Sequence, residues 1–206
     1  MEAPYLHRQS SDNQEICEMF SDFFKSVYCV NDDSVVDDVI FPIKYDSLEL
    51  SELSVLKCLQ SLDCSKGAGP DGIPNSFLKC FCEQLVYPLT HIFNLSLRMG
   101  RLPRYWKLSH IIPIFKKGDR SDISNHRGIS IISSTPKLFE KIVCDNISSF
   151  INPHIIPNQH GFFPGRSVLT NLCDFVSKTL NWMENGFQVD VIYTDFSKAF
   201  DRVDLH

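Results

Sequence analysis

The sequence contains no apolar run close to the roughly 18 residues that a membrane-spanning helix requires, so no membrane association is expected. Met1 to Ser10 has neither a basic start nor an apolar stretch, which argues against a secretory signal. None of the eight cysteines falls in a C-x-x-C pair, and Cys80 and Cys82 have no histidines near them. That spacing disfavours a zinc site or a disulfide framework and favours scattered, reduced core cysteines. The expected location is therefore intracellular, nuclear or cytoplasmic, and not secreted. No acidic or basic excess dominates the whole chain, whose formal charge is only −5. What is present is ordinary for a folded domain: 206 residues, 43% hydrophobic and 22% charged, enough to bury a core.

The small net charge conceals a strong asymmetry. Residues 1–64 carry a net charge of −9, residues 65–168 of +7 and residues 169–206 of −3. Most of the basic excess lies in Arg98, Arg101, Arg104, Lys107, Lys116, Lys117, Arg120, Arg127, Lys137 and Lys141. Clustered cations are what a phosphate-binding surface needs, because sequence-independent affinity for nucleic acid comes from neutralising phosphates. A solvated basic face is the alternative from charge alone.

Hydrophobic spacing predicts the elements. Ile16, Met19, Phe20, Phe23, Phe24 and Val27 recur at helical intervals over Gln14 to Tyr28. An acidic linker with Asp32, Asp33, Asp37 and Asp38 follows, so residues 1–47 read as an N-terminal helix and linker, and residues 48–206 as the main domain. Ser51 suits the cap of a helix with Leu53, Leu56, Leu59 and Leu62 in its stripe. Lys66 to Gly72 is too rich in glycine and proline for regular structure. It is not a P-loop, since no Lys-Ser/Thr follows the second glycine at the required spacing. Helices are expected over Pro74–Cys82 and Leu85–Met99, stopped by Gly100 and Pro103. Leu108–Phe115 and Arg127–Ile132 read as strands of a β-hairpin with a long polar turn. A helix starting at Pro136 and another capped by Ser167 come next, and Val189–Tyr193 has the pattern of a buried strand. The fold class expected is α+β.

Asp195 stands at the end of that apolar run, within Asp195-Phe196-Ser197-Lys198-Ala199-Phe200-Asp201. A carboxylate there is costly to desolvate unless it binds something positive. This string resembles the first catalytic motif of reverse transcriptases. The upstream text is similar, in order, to the non-LTR retrotransposon branch, and most of all to jockey-type elements. The similarity is carried by Ser65-Lys66-Gly67-Ala68-Gly69-Pro70-Asp71-Gly72-Ile73-Pro74, Leu102-Pro103-Arg104-Tyr105-Trp106-Lys107 and Ile112-Pro113-Ile114-Phe115-Lys116-Lys117-Gly118-Asp119. It continues in Asn125-His126-Arg127-Gly128-Ile129-Ser130 and in Gln159-His160-Gly161-Phe162-Phe163-Pro164-Gly165-Arg166-Ser167. Five ordered motifs are far more specific than one.

The resemblance implies the helix-rich fingers of a right-hand polymerase, with the hairpin, running into the first palm strand. It implies an RNA-directed DNA polymerase with RNA template, DNA primer and dNTP as partners. Asp195 would be the catalytic metal ligand, helped by the Phe196 carbonyl, for two Mg²⁺ ions with Mn²⁺ as the substitute. Phe200 would be the ring under the sugar that excludes a 2′-hydroxyl; read without the family it is a core aromatic. Arg127, with Lys116 or Lys117, would hold the nucleotide's triphosphate. Lys66 in its rigid loop would lie along the template. Gly165 and Arg166 would take a template phosphate at a helix start, a plain helix cap being the other reading.

Two positions depart from the family pattern: Gly128 stands where proline is usual, and Phe163 where a basic residue is common. The second catalytic motif of the family, an aromatic-Ala-Asp-Asp hairpin, does not occur in the 206 residues. The expectation is therefore a truncated segment, inactive as an enzyme by itself. A non-catalytic fragment that binds RNA or an RNA–DNA hybrid, and a decayed element remnant, are the alternatives.

Overall fold

The computed structural model describes residues 10–27 and 48–196. They fall into two units that divide between Val143 and Cys144. The described residues combine helices with one antiparallel pair of strands, which is the expected α+β class.

The first unit contains α1 (Asn13–Val27), α2 (Glu52–Gln60), α3 (Asn75–Cys80) and α4 (Cys82–Met99). A hairpin of β1 (Ser109–Phe115) and β2 (His126–Ile132) follows, and then the first part of α5 (Ser134–Ile151). Helix α2 starts where Ser51 Oγ accepts the N–H of Ser54, one of the four donors a helix start leaves unpaired. Helix α4 ends at Gly100, whose φ of +61° is the left-handed conformation that spares glycine a Cβ clash. Helix α5 begins two residues before Pro136, the expected start. Proline is tolerated there because first-turn N–H groups have no partner inside the helix.

The core of this unit gathers Val55 and Leu59 of α2, Leu78 of α3, Phe93 of α4, and Leu138, Phe139 and Ile142 of α5. Phe93 is fully buried, with the rings of Trp106 and Phe139 at 5.5 Å and 5.3 Å. Burying one such ring contributes about 2–3 kcal/mol. Entry into α2 is fixed to α4 by Asn94, whose side-chain oxygen accepts from Leu50 N (2.8 Å) while its amide donates to Leu50 O (2.9 Å).

The second unit holds the end of α5, a short 3₁₀ turn at Asn152–His154, a loop to Arg166, and α6 (Val168–Glu184). No side chain of α6 is buried; Val168, Leu172, Phe175 and Val176, at helical spacing, are all exposed. Residues 187–196 follow without regular structure.

The strand expected at Val189–Tyr193 is not formed. Its run is neither paired nor buried: Ile192 and Tyr193 are 87% and 84% exposed. A strand exists only through bonds to a neighbour, and β1 and β2, the two strands among the described residues, pair with each other. The core placement expected for the cysteines holds for Cys58 among the seven described; Cys82 is half-buried, and Cys17, Cys64, Cys80, Cys144 and Cys173 are exposed, because their positions fall on solvent-facing sides of helices or in loops. No helix among the described residues is long and apolar enough to cross a membrane.

Candidate nucleotide and nucleic-acid site

The hairpin decides which cations can act together. Its antiparallel register sets Ile114 opposite Arg127, Ile112 opposite Ile129 and His110 opposite Ile131. Lys116 N–H donates to the Asn125 carbonyl at 2.8 Å, carrying the ladder one residue further. Directly opposed residues share a face, and faces alternate along a strand. Lys116, Ile114, Ile112 and His110 therefore share one face with Arg127, Ile129 and Ile131. Lys116 and Arg127 are diagonal neighbours there, and both are exposed. Lys117 lies past the ladder, in the turn.

That turn is built from its own polar side chains. Asp119 accepts from the Ser121 N–H (2.9 Å) and hydroxyl (2.8 Å), and these two bonds hold its carboxyl below the ordinary aspartate value. Asp122 accepts from Ser124 N, and Asn125 donates to Asp119 O. The Arg120 guanidinium lies over the Phe115 ring at 5.0 Å.

The other face of the hairpin carries Ile111, Pro113 and Phe115 with Gly128 and His126, and α1 rests against its turn end, leaving Ile111 and Pro113 exposed. The Phe20 ring meets His126 edge-on at 5.0 Å. A Cβ on Gly128 would stand 3.1 Å from Ile111 Cγ2 and 3.4 Å from the Phe24 ring. The contact to Ile111 is the tight one, and the Phe24 ring packs over the glycine at the edge of ordinary contact distance. From sequence Phe20 and Phe24 are ordinary core positions of a helix, and nothing in their spacing points to the hairpin that they touch.

The loop containing Lys66 is docked on the junction of β2 and α5. A Cβ on Gly69 would lie 2.5 Å from Ser133 Cα, so no side chain fits. Asp71 N–H donates to Ser133 Oγ, and the buried Asn75 donates to Asp63 O while accepting from Ser134 Oγ. Asn75 and Ser133 were not singled out from sequence, because their partners are distant along the chain. Hydrogen bonds from the Ser65 hydroxyl, then its N–H, lower the Asp63 carboxyl. Lys66 is exposed, 4.0 Å from the Asp63 carboxylate.

In the second unit Arg166 is engaged by its own loop. Its Nη1 donates to the carbonyls of Pro157 and Gln159, both at 2.6 Å, and its guanidinium lies 4.3 Å over the Phe163 ring. Gly165 has a φ of +75°, and Ser167 caps α6 in a reciprocal box with Thr170. Phe163 thus supports the arginine's guanidinium with its ring face. Asp195 and Phe196 are exposed, and no group of three metal-ligating side chains occurs among the described residues. The oxygen donors of Asp195 and Phe196 are of the kind a hard cation takes, but one carboxylate does not complete a site. Phe200 lies outside the described residues.

No family profile matches the chain. A probable RNA-directed DNA polymerase from transposon X-element of Drosophila melanogaster is 30% identical over 142 residues, 68% of this chain and 16% of that protein. The corresponding polymerase from transposon BS of the same fly is 28% identical over 152 residues, 72% of this chain and 17% of that protein. This chain is a relative of non-LTR retrotransposon RNA-directed DNA polymerases. The mobile element jockey of Drosophila melanogaster has such a polymerase too, 29% identical over 76% of this chain and 18% of its own length. The chain therefore spans less than a fifth of each of these relatives.

Proposed function

We propose that this chain is the fingers and the beginning of the palm of a retrotransposon RNA-directed DNA polymerase, with residues 48–206 belonging to that catalytic domain. The observation that carries the reading is the pairing of Lys116 with Arg127 on one exposed hairpin face, in a chain related to such polymerases. Arg127, a rigid fork of donors, would take two oxygens of the incoming nucleotide's triphosphate, and Lys116 would add a point charge beside it. Lys116 is favoured over Lys117 because the ladder puts it on the Arg127 side.

In the same reading Asp195, helped by the Phe196 carbonyl, is a ligand for divalent metal, Mg²⁺ or Mn²⁺ in its place. When bound, such ions neutralise charge in phosphoryl transfer. Phe200 would exclude the 2′-hydroxyl of a ribonucleotide. Lys66 would contact the RNA template paired with the DNA primer. Gly165 and Arg166 would serve the template by shaping the loop before α6, since Arg166 already binds two carbonyls. With one of the family's two carboxylate motifs in its sequence, the 206-residue chain by itself would bind nucleotide without extending a primer.

Titration of a fluorescent deoxynucleoside triphosphate into the purified chain tests this. Arg127→Ala and Lys116→Ala should each weaken binding by about tenfold to a hundredfold, a charge-assisted bond contributing about 1.5–3 kcal/mol. Lys117→Ala should change it little. Equal binding by wild type and Arg127→Ala would refute the assignment.

A further inference from the structure

The stretch between α4 and the hairpin carries cations that the nucleotide reading leaves unused. Arg104–Lys107 is a single 3₁₀ turn, in which residues three apart eclipse one another, so Arg104 and Lys107 stand on the same side. Trp106 turns the other way, onto Phe93 and Phe139, and anchors the turn to the core. Tyr105 is left 77% exposed, with exposed Leu102 and Leu108 on either side of the turn. Arg101 follows the left-handed Gly100, and no acidic residue occurs between Gly100 and Gly118. Arg101, Arg104 and Lys107 make no ion pair with a described residue.

We infer that Arg101 and the Arg104–Lys107 turn form a contact site for single-stranded nucleic acid, with Tyr105 stacking on a base and the three cations neutralising phosphates. An aromatic face held rigidly among unpaired cations is the combination that a single strand, with alternating bases and phosphates, can use. An acidic protein surface would use the cations but leave the ring idle. The site is separate from the proposed triphosphate grip: Lys107 lies seven residues before Ile114, the partner of Arg127, or about 23 Å along an extended chain. The inference rests on the polymerase reading for the identity of the polyanion.

The test is fluorescence anisotropy of a labelled oligouridine and the matching oligodeoxyuridine with the 206-residue chain over a range of salt. Tyr105→Ala should weaken binding about tenfold, while Tyr105→Phe, which keeps the stacking face, should bind as wild type does. Replacing Arg101, Arg104 and Lys107 together by alanine should flatten the slope of log affinity against log salt by about 2. Both substitutions are on the surface, and unchanged thermal melts would show that the fold is intact. Wild-type affinity in Tyr105→Ala, weakening in Tyr105→Phe equal to that in Tyr105→Ala, or no strand binding by the wild type would each overturn the inference. Arg127→Ala should lose triphosphate binding yet keep the contribution of Tyr105, so the two readings fail separately.

Discussion

Gly128 lies against the ring of Phe24: a single added carbon would come within 3.4 Å of that ring and 3.1 Å of Ile111. Phe24 belongs to α1 and Gly128 is next to Arg127, so this contact ties an N-terminal helix to the strand bearing the proposed triphosphate ligand. Phe24→Ala should destabilise the first unit by about 2 kcal/mol, less than a fully buried phenylalanine because the ring is half-buried. Gly128→Val should also destabilise, but much less in the Phe24→Ala background, where the ring is gone. Chemical denaturation of both single variants and the double variant measures this; strictly additive effects would show that the two residues do not touch.

Gly69 and Gly67 make a controlled pair within one loop. Gly69→Ala drives a methyl into the Ser133 backbone and should cost about 1–3 kcal/mol, whereas Gly67→Ala meets open space and should be near neutral. Urea midpoints compare them directly. An equal response would mean that the loop is not seated on the β2–α5 junction.

Arg166→Lys should loosen the loop before α6 although the charge is kept. A lysine ammonium cannot reproduce the guanidinium's fork onto Pro157 and Gln159 with its face on Phe163. Faster hydrogen exchange or protease cleavage within residues 157–166 is the expected result, with little change in the first unit's stability.

The Asp119 carboxyl is held below its ordinary value by the Ser121 N–H and hydroxyl. A group with a depressed folded-state value stabilises above its unfolded value, and that stabilisation is lost as pH falls through the folded one. The turn should therefore stay ordered at neutral pH and loosen only under acid conditions more severe than a free aspartate needs. Ser121→Ala should raise the Asp119 midpoint toward 3.8, read by NMR titration of the carboxyl carbon.

Much of the fold was legible because burial imposes a period. Ile16 to Val27, Leu85 to Met99 and Leu138 to Phe150 repeat at helical spacing, and helices stand there. Gly100 and Ser167 marked helix ends through chemistry local to the chain. Val189 to Tyr193 misled, since an apolar run records a preference for a neighbour without supplying one. The site was legible in kind and not in register. Nothing in two adjacent lysines tells which one shares a face with Arg127; that depends on how two strands are aligned. Arg166 shows the same limit, because its two carbonyl acceptors are brought near by the loop's path and not by any residue pattern.

Pro113 faces Gly128 one step from the pair Ile114–Arg127. Counting back from the Lys116–Asn125 bond, it occupies a position whose nitrogen points away from β2. The ring costs the hairpin no internal bond, and it deletes a donor from the outward rim of β1. An incoming strand cannot complete an uninterrupted set of bonds there, so this two-stranded ribbon is shielded along that rim from growing into a larger sheet or seeding a fibre, even with Ile112 and Ile114 open to water.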